Sequence, residues 1–329
     1  MKHVYSILVI AVASTFATAA DPPLHVMTDG RLTLTVLLPD AQNGFYRGTR
    51  FDWSGVVEKA QINGHTLFGY WKATHDPTNH DDVPGTAEEF GTATSPVAGP
   101  LGYREAKPGQ TFLKIGVGEL EKIDEPRYRF AQRYKIVKPG AWEIIPEKDG
   151  IAFKQEMKHP AGYGYRYFKQ IKFLSGADGP GFRITRTLLN SGTKRLETDH
   201  YAHHFMTVDG DPIGPNYRIR FGFPAVVRGE NRLADLAALR DASLVFQKPL
   251  ENASIFAELA GAPAEQHRIT VEHAPSGVSL RIVGDRPLTK CNVWSVKTTV
   301  CPEPYIELKI DPGQAASWTT TYQITAPAK

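Results

Sequence analysis

Two short stretches concentrate side chains able to move protons. One is His200-Tyr201-Ala202-His203-His204, the other Cys301-Pro302-Glu303-Pro304. In an extended strand, side chains alternate between faces. His203 then shares a face with Tyr201 and Phe205, and an aromatic–histidine–aromatic face is a platform for the C–H face of a pyranose. His200 and His204 share the opposite face, which invites a metal. Four residues of strand rise separate them by about 13 Å, too far to hold one ion. His75 and His80 belong to a loop and join a site only if that loop folds over. No metal or other cofactor is expected.

Glu303 precedes the alternating run Tyr305 to Ile310. If that strand extends backwards, Glu303 has the phase of Tyr305 and Glu307, opposite Ile306, Leu308 and Ile310. The apolar face packs inward, so Glu303 falls on the other side, with Glu307 as the alternative carboxylate. A carboxylate beside a turn is ordinarily a solvated one. The flanking prolines fix the backbone and weigh towards a held one. Arg47 and Arg50 flank Gly48-Thr49 among Phe45, Tyr46, Phe51 and Trp53. They offer either a donor fork for hydroxyls or carboxylates or, more blandly, a surface ion pair with Asp52. Glu88 and Glu89 end an acidic loop, as hydroxyl acceptors at a rim or as solvated charges.

The elements that must position these groups read as strands. Arg31–Leu38, Tyr128–Val137, Gly150–Met157, Tyr163–Phe173, Phe182–Leu189, Ser279–Val283, Tyr305–Ile310 and Ser317–Ile324 alternate. Most are bounded by Gly, Pro, Asp or Asn turns. Many short strands with turn chemistry between them predict an all-β antiparallel sandwich or barrel. One helix is expected at Arg232–Leu239, capped by Asn231, with leucines at 233, 236 and 239. Residues 76–102 are rich in Pro, Gly, Thr and acid and read as a long loop, functional or disordered.

Of 329 residues, 41% are hydrophobic, enough for a substantial core, and the formal charge is +3 with no basic block, which argues against a nucleic-acid partner. The first 19 residues have the form of a signal peptide, with a polar start, a short apolar stretch and Ala17-Thr18-Ala19 as the cleavage site. The expectation is an exported, periplasmic or extracellular protein whose residues 20–329 form one domain without a membrane span. Export permits a disulfide between Cys291 and Cys301; two free thiols are equally compatible with the spacing.

Three segments resemble one family. GFYRGTRFDWSGVVEKAQINGHTLFG (44–69) is similar to the opening of mutarotase-type proteins. TDHYAHHFMTVDG (198–210) resembles the mid-chain histidine segment of aldose 1-epimerases and hexose-phosphate epimerases. VCPEPYIELKIDPGQAASWTTTYQI (300–324) resembles their terminal segment. The resemblance implies the galactose mutarotase-like fold, a large two-sheet sandwich whose concave sheet binds a sugar. It implies a glutamate acting as base on the anomeric hydroxyl, matched here by Glu303. A histidine, matched by His203, donates a proton to the ring oxygen. Substrate contacts are then expected from Tyr201, His200, His204 and Glu307, and from Arg47, Arg50, Trp53, Glu88 and Glu89. The hexose-phosphate branch carries a basic residue in a comparable loop; the loop here is acidic, which argues against a phosphorylated sugar.

The function this implies is an isomerase interconverting the anomers of a free sugar or an oligosaccharide end. A non-catalytic carbohydrate-binding protein, or a lyase or glycoside-active enzyme on the same scaffold, is the alternative, because function rests on the site and not the fold. An inverting hydrolase would need two carboxylates across the groove, such as Glu303 or Glu307 with Glu88 or Glu89.

Overall fold

A computed structural model describes residues 21–92, 99–176 and 179–329. The expected signal peptide lies outside the described residues. Antiparallel strands dominate, and a short 3-10 turn is found at Ala264–Gln266. No helix among them is long and apolar enough to cross a membrane.

Two sheets make the body. A ten-stranded sheet runs from Ala237–Arg240 at one edge to Trp142–Glu147 at the other, with Ala315–Thr325 and Gly181–Asn190 near its middle. A six-stranded sheet has the order Val227–Asn231, Ile255–Ala262, Leu288–Val296, Thr299–Ile310, Leu196–Phe205, Gly85–Phe90. Smaller sheets of four and three strands flank them. In the four-stranded sheet, Asn63 and Gly64 both take positive φ (50° and 83°), the backbone a two-residue hairpin turn demands.

Alternation along each strand of the six-stranded sheet sorts its side chains. Val293, Val300, Ile306 and Leu308 join Ile184, Leu188 and Tyr322 of the ten-stranded sheet in the main core. Tyr201, Phe205, Cys301 and Tyr305 face the other way, into a second cluster rich in tyrosine and phenylalanine that includes Phe51, Trp53 and Phe112. The six-stranded sheet is therefore buried on both faces over much of its area.

That double burial explains the first departure from expectation. Residues 76–102 are not one loop. They contain Gly85–Phe90, all six residues buried, paired with Leu196–Phe205. A strand covered on both sides shows no alternation to read. Gly85 starts it with φ +65°, and a Cβ there would lie 1.8 Å from the Val57 carbonyl oxygen, so only glycine fits.

The expected helix at 232–239 is not formed either. Asn231 does accept the Leu233 amide (3.1 Å), as a cap would. Ala234 then takes φ +49°, outside the right-handed helical region, so Leu233–Leu236 closes as a turn, and Ala237–Arg240 pairs with Ser243–Phe246 instead. Of Tyr128–Val137 only Ile136 and Val137 are strand, the start of Ile136–Pro139. Tyr128 and Tyr134 instead stack on each other, ring centroids 5.4 Å apart, in the aromatic cluster.

Candidate active site

Tyr201 and Tyr305 are opposite one another in the pairing of the two central strands. Their rings stack, with centroids 4.2 Å apart. One alternation further, His203 and Glu303 project from the same face, His203 Nε2 lying 3.1 Å from Glu303 Oε1. The His203 ring stacks on Phe205 at 4.0 Å. Glu303 Oε2 accepts a hydrogen bond from the Tyr305 hydroxyl at 3.3 Å. Pro302 and Pro304 occupy a central strand, where proline removes ladder donors and is rare. They hold Glu303 on a stiff segment, and the Pro302 carbonyl accepts from His204 Nδ1 at 2.7 Å.

Both members of the pair are buried and neither has a full charge partner. Burial pushes the Glu303 carboxyl up to about 7, partly offset by Arg50. Burial, with the positive charge of Arg50 and then His204 nearby, holds the His203 imidazole well below its usual range. Below about pH 7 the pair therefore carries one proton, favoured on Glu303 beside a neutral His203.

Arg50 is fixed beside them. Its Nε donates to Glu89 at 2.9 Å and its Nη2 to the Tyr201 hydroxyl at 2.7 Å. Its guanidinium lies 4.4 Å from the Phe51 ring centroid and 4.3 Å from that of Phe130. Glu89 also takes Lys114 Nζ at 3.0 Å. Burial would raise the Glu89 carboxyl, but Lys114 and then Arg50 hold it below its ordinary value.

Arg50, Glu89, Tyr201, His203 and Glu303 all line one cavity of about 470 Å³. Two buried atoms at that cavity, His203 Nδ1 and Asn292 Oδ1, have no hydrogen-bond partner among the described residues. Buried polar atoms are nearly always paired, with protein, water or ligand, so these two mark where a polar group in the cavity would be held.

Other expected contacts lie elsewhere. His200 and His204 are on the face towards the ten-stranded sheet. His200 Nε2 is 3.2 Å from Glu88 and His204 Nε2 is 3.1 Å from the Tyr322 hydroxyl. Glu88 points the same way, paired with Arg186 and, at 3.4 Å, with Lys169. Neither Glu88 nor Glu89 sits at a rim, since strand alternation sends one carboxylate to each buried face. Glu307 is on an exposed part of its strand, 3.8 Å from Lys309. Arg47 turns to the Gln42 carbonyl. Trp53 is buried, its Nε1 donating to the Gly48 carbonyl at 2.8 Å. Asp52 is not the partner of Arg50; it is buried with Ser54, Tyr167 and Lys169.

Both cysteines are free. Cys291 is opposite Pro304 and Cys301 is opposite Trp294, so the hairpin does not align them. Among the described residues no three His, Cys, Asp or Glu side chains are grouped to hold a metal.

Sequence reasoning missed several residues, among them Lys114, Phe130, Phe256, Glu258, Lys290, Asn292 and Trp294. The run Lys290-Cys291-Asn292-Val293-Trp294 alternates, and its polar phase carried the signal; Lys290, Asn292 and Trp294 all reach the cavity. His80, expected to reach a site only if its loop folded over, does line it.

No protein-family model matches the sequence, and no curated relative matches it. Solved structures do match. The Slr1438 protein of Synechocystis sp. PCC 6803 is 14% identical with a TM-score of 0.56, over 96% of this chain and 100% of that one. A GalM/aldose epimerase homologue from C. elegans is 10% identical with a TM-score of 0.56, over 93% and 99%. A galactose mutarotase-like protein from Clostridium acetobutylicum is 11% identical with a TM-score of 0.52, over 93% and 99%. The chain thus has the galactose mutarotase-like fold, as the sequence resemblance implied.

Proposed function

We propose that the protein is an exported aldose 1-epimerase-like isomerase, with Glu303 as base and His203 as acid. The observation that carries this reading is the buried Glu303–His203 pair, 3.1 Å apart and open to one cavity. The anomeric hydroxyl and the ring oxygen of a sugar share a carbon, so they are neighbours too. In the ionised form of the pair, Glu303 takes the anomeric proton while protonated His203 gives its proton to the ring oxygen. The C1–O5 bond breaks and C1 becomes a carbonyl. Rotation about C1–C2 presents the other face, and closure returns both protons. The pair carries one proton before and after, so nothing else need supply or remove one. Arg50 contributes a fixed positive charge beside the developing oxyanion.

Anomer equilibration, followed by NMR over common hexoses, pentoses and uronic acids, tests the reading. Acceleration of any of them supports it. Binding without acceleration of any would replace it with a non-catalytic carbohydrate-binding protein. Export is tested by N-terminal sequencing of secreted material, which should begin at or near Ala20; an intact Met1 would contradict it.

A further inference from the structure

The cavity is larger than the acid–base pair needs. At about 470 Å³ it falls in the range of pockets that enclose drug-sized ligands, and a lone hexose over Glu303 and His203 leaves part of it empty. Part of its lining lies beyond the acid–base pair, on Ile255–Ala262 and Leu288–Val296. Glu303 is opposite Asn292, and Asn292 is opposite Glu258 on the next strand. Phe256 is opposite Trp294 on the same two strands, and both are half buried. Strands are spaced about 4.8 Å apart, so Phe256 and Glu258 stand roughly 10 Å from the strand of Glu303. A second ring joined to one over Glu303 would lie over Asn292, on the strand between, and come within reach of Phe256 and Glu258.

The chemistry of this outer half suits a sugar. Phe256 and Trp294 are adjacent apolar side chains lining the cavity, with the Arg232 guanidinium 5.4 Å from the Phe256 ring centroid, so this wall offers a pyranose apolar surface and a donor together. Beside them Lys290 Nζ and Glu258 Oε2 form an ion pair at 2.9 Å, half exposed or less on both sides, offering a donor and an acceptor to hydroxyls. Asn292, with its unpartnered Oδ1, sits between the two halves, where the first ring's hydroxyls or the linkage would reach it.

We propose that Phe256, Trp294, Glu258 and Lys290 form a second sugar subsite, and that the substrate is the reducing end of a disaccharide or longer oligosaccharide. This rests on the isomerase reading above and specifies its substrate class.

The test compares glucose and galactose with cellobiose, maltose and lactose, for the wild type and for Phe256→Leu, which keeps apolar volume but removes the flat ring. Glu258→Gln is a second variant, outside the core. The expected result is a kcat/KM for at least one disaccharide about tenfold above that for its hexose. Each variant should lower that advantage and leave the hexose rate within about twofold. Equal treatment of disaccharides and hexoses, or an advantage that both variants leave intact, would overturn the subsite. Calorimetric binding of the same sugars separates the two claims. Preferential disaccharide binding that Phe256→Leu abolishes, without equilibration of any sugar, would keep the subsite and overturn the isomerase. Equilibration of hexoses with no disaccharide preference would do the reverse.

Discussion

Glu303 and His203 share one proton because burial disfavours the charge on each. Deprotonation of Glu303 near pH 7 leaves the free pair without the acid, so kcat/KM should fall as pH rises above about 7. The lower limb should lie well below pH 6.5, because His203 resists a second proton. A kcat/KM that climbs steadily from pH 6 to about 8.5 would contradict this. The same carboxyl affects stability. It goes from 4.5 unfolded to about 7 folded, a raised value, so its contribution is fully present below pH 4.5 and is lost as pH rises through 7. Glu303→Gln does not titrate. Urea unfolding should therefore show the variant gaining on the wild type between pH 4 and 8, by on the order of 3 kcal/mol. A pH-independent difference would show that the carboxyl is not held protonated.

At the scale of elements, Gly85–Phe90 does two tasks. Glu89 orients Arg50 at the cavity, while Glu88 ties the six-stranded sheet to the ten-stranded one through Arg186 and Lys169, all fully buried. Arg186→Met should cost about 3–5 kcal/mol in urea unfolding, because it leaves Glu88 under-compensated in the core, and adding Glu88→Gln should recover part of that. Losses that simply add would mean the two do not interact. This strand also shows where the sequence was hard to read. Strands with one solvated face, such as Gly164–Phe173 and Gly181–Asn190, were legible from alternation and turn residues. Gly85–Phe90 was hidden because its carboxylates are matched by cations far away in sequence, Lys114 and Arg186. Asn231 and the leucines after it carried a cap-like hydrogen bond and a misleading period, and at the left-handed Ala234 the chain turns instead of starting a helix. Of the site, the face shared by Tyr201, His203 and Phe205 and the phase of Glu303 were readable. His200 and His204 were misplaced because period 2 gives the relative faces of two residues without telling which face is the groove.

At the scale of the molecule, a sandwich with the galactose mutarotase-like fold brings residues 89, 203 and 303 to one cavity through sheet order, and the segment between Leu32–Leu37 and Val56–Ile62 adds Arg50. Fold leaves the chemistry open, so the central claim rests on the pair. A well-placed acid or base contributes on the order of 10²–10⁴ in rate. The most direct measurement is the anomer-equilibration rate of Glu303→Gln, His203→Asn and the double variant, on a sugar that the wild type accelerates. Each single variant should lose about that factor with sugar binding largely retained, and the double variant should lose little more than the worse single one, as for groups acting as a unit. Full activity in either single variant would contradict the account.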